Sequence, residues 1–163
     1  MVHHRKKLRL EGYDYASDGV YFITILIQNR VHLLGDIADN KLCLSPAGEM
    51  LSQYWYELPQ KHPHFELDDF VVMPNHFHSI LIINNAPNNE KSVTLSQGIQ
   101  WFKTVTTNAY IRGVKDSNWT PFVGKLWHRS FHDHIIRDER ALHTLKMYIA
   151  QNPEKWIEDV LFS

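Results

Sequence analysis

The order in which strand-like and helix-like patterns alternate along the chain is the feature that most constrains its fold. β-Branched and aromatic runs alternate with segments whose apolar residues recur at helical spacing. Serine before proline predicts a helix start, aspartate predicts an N-cap, and proline predicts a helix end. The predicted elements are, in chain order, a strand over Tyr21–Ile27, a helix from Ser45 to about Leu58, strands over Phe65–Met73 and His76–Ile83, a helix over Thr94–Arg112, a strand over Leu126–Arg137 and a helix from Asp138 to about Gln151.

The first six of these elements follow the split β-α-β-β-α-β order of the ferredoxin-like plan. This predicts an α+β fold with a four-stranded antiparallel sheet, helices on one face and an added C-terminal helix. The 163 residues suit a single domain over 1–163, with residues 1–12 as a basic N-terminal arm. Connecting segments are expected to be a turn at 28–30, a stretch over 31–37 that extends or pairs with the first strand, a loop over 113–124 and a short terminal helix over Trp156–Leu161.

Composition excludes several classes of protein. No apolar run approaches the roughly 20 residues needed to cross a membrane, and the N-terminus lacks the apolar stretch of a signal peptide. The single cysteine, Cys43, excludes an internal disulfide and is compatible with the cytoplasm, where we expect the protein to reside. The net charge of −1 argues against non-specific coating of duplex DNA, which requires many cationic contacts to phosphate.

Two histidines at the start of one predicted strand form a candidate metal site. Alternate residues of a strand point to the same face, so His76 and His78 project together and Phe77 points away. Two imidazoles in this arrangement can share one divalent ion, although imidazole suits several metals. Placement within a strongly apolar strand would hold such a site rigidly.

Histidine pairs of this spacing also arise by chance, because the chain contains 11 histidines. A second pair, His62 and His64, flanks Pro63 in a predicted loop and is expected at the surface. A third pair, His132 and His134, lies in the fourth predicted strand. The apolar flanks of His76 and His78 favour that pair as the metal site.

The last predicted helix brings two further residues onto one face. Tyr148 and Asn152 are four positions apart, the spacing of neighbours on a helix surface. Tyrosine can act as a covalent nucleophile if its proton is taken up or its target is polarised, and asparagine offers a neutral oxygen to a metal. Spacing alone favours the simpler interpretation, in which Tyr148 packs in the core and Asn152 caps the helix.

Taken together, the motifs resemble those of the single-tyrosine HUH transposases, and in particular the REP-associated tyrosine transposases. The resemblance runs from about Tyr13 to Trp156, and its motifs occur in the expected order. They are Tyr21-Phe22-Ile23-Thr24, Val72-Met73-Pro74-Asn75-His76-Phe77-His78, Phe102-Lys103, Trp127-His128-Arg129, Asp133-His134-Ile135-Ile136-Arg137 and Tyr148-Ile149-Ala150-Gln151-Asn152-Pro153.

The resemblance implies a role for each matched residue. His76, His78 and Asn152 would hold Mg²⁺ or Mn²⁺, and Tyr148 would be the nucleophile. The metal would polarise the scissile phosphate of single-stranded DNA near a hairpin. Attack by tyrosine would leave a 5′-phosphotyrosine link and a free 3′-OH, from which strands can be rejoined. The family's fold agrees with the ferredoxin-like plan reached from the element order.

The interpretation leaves several alternatives open. The same histidines could serve a phosphoesterase that uses water, or the protein could bind DNA hairpins without cutting them. The protein could be a monomer or a homodimer. DNA contacts are expected from Lys103, Arg129 and Arg137, although cationic side chains are as often simply solvated. Further candidates are the basic arm (His3, His4, Arg5, Lys6, Lys7 and Arg9), other residues around the fourth strand (Lys125, His128, His132, His134 and Arg140) and three tryptophans that could stack on bases or lie in the core (Trp101, Trp119 and Trp127).

Overall fold

A computed structural model describes residues 18–85 and 92–156 of the chain. The elements of the described part are β1 (Gly19–Ile27), a single 3-10 turn (Gln28–Arg30), β2 (Gly35–Ala38), β3 (Lys41–Leu44), α1 (Pro46–Lys61), β4 (Phe65–Met73), β5 (His76–Ile83), α2 (Leu95–Ser117), β6 (Trp127–Ile136) and α3 (Glu139–Gln151). None of the described helices is long and apolar enough to cross a membrane.

The main sheet has four strands in the order β4-β5-β1-β6, and every neighbouring pair is antiparallel. This order and the intervening α1 and α2 confirm the predicted ferredoxin-like arrangement and its added C-terminal helix, α3. Strand alternation gives the sheet two faces. Odd-numbered residues of β1, such as Tyr21 and Ile23, join the core beneath α1 and α2, whereas Val20 and Phe22 pack towards α3.

The core on the α1–α2 side is centred on aromatic rings. Trp55 of α1 meets Phe77 of β5 and Phe102 of α2 edge-on, with ring centroids 4.9 and 5.0 Å apart. All three side chains are fully buried. Edge-to-face aromatic packing of this kind is favourable beyond the area it buries. It fixes the position of β5 relative to α1 and α2, and therefore the position of the histidines on the opposite face of the sheet.

The stretch after β1 differs from the prediction. Residues 31–37 neither extend β1 nor pair with it; instead β2 and β3 form a separate two-stranded hairpin. The turn residues Asp39 and Asn40 both have positive φ, at 53° and 60°. Two successive positive-φ residues match the twist of a tight hairpin, and Asp and Asn tolerate that conformation.

Two helices extend beyond their predicted ends. α1 passes through Pro59 to Lys61, because a proline in the last turn sacrifices only one backbone hydrogen bond. α2 continues to Ser117, so the predicted loop at 113–117 is wrong. Gly113 remains helical where the Trp119 ring packs against it, and the helix ends at Asn118, which adopts the left-handed conformation common at C-caps.

The predicted basic arm and residues 157–161 of the predicted terminal helix lie outside the described residues.

We predict that Gly48→Ala destabilises the protein. A Cβ atom at Gly48 would lie 2.2 Å from the carbonyl oxygen of Leu34, a backbone atom that cannot move cheaply. The expected loss is about 1–3 kcal/mol of unfolding free energy, the usual range for overpacking. Urea denaturation measures it, and Gln53→Ala on the exposed side of the same helix is the control. Equal stability of the two variants would contradict the packing described here.

Candidate metal and tyrosine site

The two histidines of β5 lie side by side on the face of the sheet that α3 partly covers. His76 pairs in register with Leu26 of β1, and His78 pairs with Thr24. Their ring centroids are 4.6 Å apart, and the residues are 0% and 2% exposed. Two buried imidazoles this close on a rigid strand are pre-organised to act on one ion or one substrate group.

Asn75, the residue before His76, determines which ring nitrogen of that histidine carries hydrogen. His76 Nδ1 lies 2.7 Å from Asn75 Oδ1. The amide nitrogen of Asn75 donates to the carbonyl oxygen of Arg30 at 3.3 Å, which identifies Oδ1 as the acceptor. His76 Nδ1 therefore donates, and the lone pair lies on the buried Nε2 atom.

Thr24 plays the corresponding part for His78. Its hydroxyl oxygen lies 2.8 Å from His78 Nδ1. With the hydroxyl as acceptor, His78 also presents the lone pair of Nε2. The Phe22 ring stacks on His78 at 5.2 Å and 26° and limits rotation of the imidazole. Metal-binding histidines characteristically make a hydrogen bond of this kind through their second nitrogen.

α3 carries the tyrosine to the same place. The helix begins where the Asp138 carboxylate accepts a hydrogen bond from the Ala141 amide, as the sequence predicted. Tyr148 is 40% exposed, so it is not a core residue. Its ring meets His78 edge-on at 5.2 Å and Phe22 at 6.0 Å. Tyr148 and His78 therefore lie together within a single chain.

Asn152 lies one turn further along the helix, between two aromatic contacts with the histidines. Tyr148 precedes it and touches His78; Trp156 follows it and stacks on His76 at 6.1 Å and 16°. Asn152 is 3% exposed, and its Oδ1 atom has no hydrogen-bond partner among the described residues. A buried amide oxygen without a partner is costly, which is typical of a group kept for a ligand.

This donor set suits a divalent cation. The described residues hold no cluster of three or more His, Cys, Asp or Glu side chains that could bind a metal ion, so a third ligand for the histidines would have to be of another kind, for which the asparagine oxygen is a candidate. Two imidazole nitrogens and one amide oxygen form a neutral set that accepts several divalent metals. Tyr148 and Asn152 also line an open cleft of about 450 Å³ whose other described lining residues include His143, Gln151 and Lys155.

Other candidates from the sequence lie elsewhere. Lys103 donates to the carbonyl oxygens of His128 and Ser130, so it ties α2 to β6. Arg129 and Arg137 are exposed at the two ends of β6. Trp127 is buried and donates its indole N–H to Thr106, which is a core role.

Trp101 and Trp119 are partly buried and pack against the same core. His64 is buried, so the expectation that it lies at the surface is wrong.

Sequence reasoning did not assign a role to Thr24 or Asn75. Both lay within quoted motifs, but their function depends on contacts across strands or around a turn. The register Thr24–His78 follows only once the two strands are aligned. Trp156 was likewise expected only as the beginning of a helix.

The chain was compared with known families. Residues 23–152 match the family model described as Transposase IS200 like. The chain belongs to the IS200-like transposase family. An uncharacterized protein of Haemophilus influenzae is 33% identical to this transposase over 170 residues, which cover 99% of this chain and 94% of the relative. A proposed REP-associated tyrosine transposase of the same organism is 26% identical over 145 residues, covering 87% and 74%.

Solved structures share the fold of this transposase. A REP-associated tyrosine transposase bound to a REP hairpin superimposes with a TM-score of 0.64 at 23% identity, covering 95% of this chain and 74% of that one. A proposed transposase from Deinococcus radiodurans gives a TM-score of 0.53 at 16% identity, covering 87% and 95%. The resemblance inferred from the motifs is thus confirmed.

We predict that substitutions at the two buried asparagines of the site differ in their effect on stability. Asn152→Leu removes an amide oxygen that lacks a hydrogen bond, so without divalent cations the unfolding free energy should stay equal or rise by about 1 kcal/mol. Asn75→Leu removes an amide bonded at both ends and should cost about 1–3 kcal/mol. Thermal unfolding in a chelator compares the pair. A larger loss at Asn152 than at Asn75 would refute this account.

Proposed function

We propose that this transposase nicks and rejoins single-stranded DNA beside hairpins, through a covalent link between Tyr148 and the 5′ phosphate. The observation that carries the proposal is the contact of the partly exposed Tyr148 ring with His78, one helical turn before Asn152, whose buried oxygen has no hydrogen-bond partner among the described residues. A tyrosine with a purely structural role would not need a buried histidine at its edge.

In this proposal Tyr148 is the nucleophile, and the covalent link that it forms can be reversed. The Tyr148 oxygen attacks phosphorus and gives up its hydroxyl proton to the solvent, the bond to the 3′ oxygen breaks, and that oxygen leaves as a 3′-OH after taking up a proton. Phosphotyrosine preserves a phosphodiester, so a 3′-OH can attack it in the reverse sense and restore a continuous strand. Water, by contrast, would end the reaction irreversibly.

We propose that His76 and His78, through Nε2, and Asn152, through Oδ1, hold Mg²⁺ or Mn²⁺. Such an ion would supply Lewis-acid polarisation of the scissile phosphate. Thr24 and Asn75 keep the imidazoles in position and in the required tautomer. Phe22 and Trp156 cover the two rings and exclude water from their faces.

We propose a second cleft, between α2 and β6, as a contact surface for the DNA hairpin. It encloses about 490 Å³, and its mixed lining includes the cationic and amide side chains of Gln100, Asn108, Lys125 and Arg129. These groups can bind phosphate and sugar oxygens without reading sequence. Arg137, exposed after the other end of β6, would extend the same positive edge. Local clustering of this kind compensates for a net charge near zero.

Two rival functions remain distinguishable. A phosphoesterase that activates water would use the histidines but not the tyrosine. A domesticated hairpin-binding protein would use neither.

We further propose that the whole chain, including its basic arm, acts as one domain. Both a monomer and a homodimer are compatible with a tyrosine that reaches the histidines of its own chain.

The decisive test of the proposal is Tyr148→Phe. Incubation of the protein with hairpin-bearing single-stranded DNA and Mn²⁺ should give a protein–DNA adduct that survives denaturation, and the variant should give none. Tyr56→Phe, at another exposed tyrosine, should behave as the wild type. Cleavage without an adduct in the Tyr148 variant would favour the water-dependent phosphoesterase. Hairpin binding without cleavage by the wild type would favour the non-catalytic alternative.

A second prediction concerns Thr24. Thr24→Val removes the hydroxyl bonded to His78 Nδ1 and should weaken Mn²⁺ binding about 10- to 100-fold, the usual effect of losing such a support. Thr24→Ser keeps the hydroxyl and should bind nearly as tightly as the wild type. Calorimetric titration of the DNA-free protein measures both affinities. Undiminished binding by the valine variant would argue against His78 as a ligand.

A further inference from the structure

The helix that carries Tyr148 is held on the sheet by few buried side chains. Of the residues in α3, only Ile149 is buried, where it joins Ile80 and Ile136; by contrast, α1 buries six. The other apolar residues of this small cluster are only partly buried. Because hydrophobic stabilisation scales with buried apolar area, α3 is the most weakly attached of the three helices.

An ion pair supplements this small contact. The Lys146 ammonium lies 2.9 Å from Asp68 Oδ1 and 3.5 Å from Asp69 Oδ2, so it joins α3 to β4, an edge strand of the sheet. Partial burial works to raise the pKa of Asp68, but the hydrogen bonds from Lys146 and from the Asp69 amide, together with the charge of Lys146, outweigh it, and the pKa lies below its usual value. The hydrogen bond to Asp68 in turn raises the pKa of Lys146. Both groups are therefore charged at neutral pH.

A β-bulge explains how one lysine reaches two successive aspartates. Side chains of consecutive strand residues ordinarily point to opposite faces. Here the register between β4 and β5 shifts between Leu67 and Phe70, which leaves one extra residue in β4 at Asp68 and Asp69. The bulge turns the two carboxylates towards the same ammonium, as bulges commonly re-aim side chains.

We propose that Lys146 is a positioning residue, which through Asp68 and Asp69 fixes α3 so that Tyr148 stays against the histidines of its own chain. Lys146 is two residues before Tyr148, so displacement of its side chain shifts or rotates the turn that bears the nucleophile. The proposal rests on the proposed function of Tyr148, since only a reacting tyrosine needs its oxygen held in place.

An exposed ion pair typically contributes little to global stability. Its effect here would be on alignment, because a displacement of about 1 Å from the reactive geometry can slow a reaction about a hundredfold. Apolar contacts are non-directional, whereas a charged hydrogen bond to a bulge favours one geometry. The pair would therefore affect the rate of strand cleavage more than the affinity for DNA.

Two variants test the proposal: one reverses the charge of Lys146, and the other swaps the charges of Lys146 and Asp68. Lys146→Glu should increase amide hydrogen exchange of α3, in protein free of DNA and metal, about five- to tenfold. It should slow adduct formation at saturating DNA by at least the same factor. Lys115→Glu, at the exposed end of α2, makes the same change in net charge and controls for weaker attraction of DNA. DNA affinity should fall equally in both variants.

The charge-swapped variant combines Lys146→Glu with Asp68→Lys. It also carries Asp69→Asn, so that the introduced glutamate faces no carboxylate. Its rates of amide hydrogen exchange in α3 and of adduct formation should both return to within about twofold of those of Asp69→Asn alone. The proposal would be overturned if amide hydrogen exchange of α3 in Lys146→Glu were no faster than in Lys115→Glu. It would also be overturned if the charge-swapped variant failed to restore slow hydrogen exchange. If the wild type forms no adduct, the proposed function fails, while the exchange rates still decide whether Lys146 holds the helix.

Discussion

β1 makes backbone hydrogen bonds along both of its edges, to β5 and to β6, and the position of the candidate site depends on this double pairing. The register aligns Thr24 with His78 on one side and with His132 on the other. A shift of one residue would turn the histidines of β5 into the aromatic core and expose Phe77 instead. The tight packing of Phe77 against Trp55 and Phe102 therefore also secures the histidines, although it lies on the opposite face.

The site combines a rigid half with a more weakly held half. The histidines belong to a central strand and make hydrogen bonds to Asn75 and Thr24 that orient their rings. Tyr148 and Asn152 belong to a helix with one buried apolar residue and an ion pair at the sheet edge. In the proposed reaction, such a division would let the two histidines stay in place while α3 adjusts as Tyr148 approaches a phosphate and later releases it.

One group at the site lowers stability rather than raising it. The buried Asn152 oxygen lacks a hydrogen bond from the described residues. Proteins commonly tolerate such local costs where a ligand or substrate is bound. The large core beneath α1 and α2 supplies the compensation, since it contains most of the fully buried side chains.

The sequence by itself determined the order of elements, the pairing of His76 with His78 on one face, and the spacing of Tyr148 and Asn152 along a helix. These follow from short-range rules of strand alternation, helix periodicity and capping. The C-terminal ends of α1 and α2 and the β2–β3 hairpin were missed; in α2 the helix continues through Gly113, against which Trp119 packs from beyond the helix end. Spacing could not distinguish a core tyrosine from an exposed one, and the motif resemblance supplied that judgement. Only the tertiary structure decided that Thr24, Asn75 and Trp156 support the histidines. It also decided that Lys146 reaches Asp68. The reason is that the residues in these contacts are brought together by the sheet register, by the bulge in β4 and by the docking of α3.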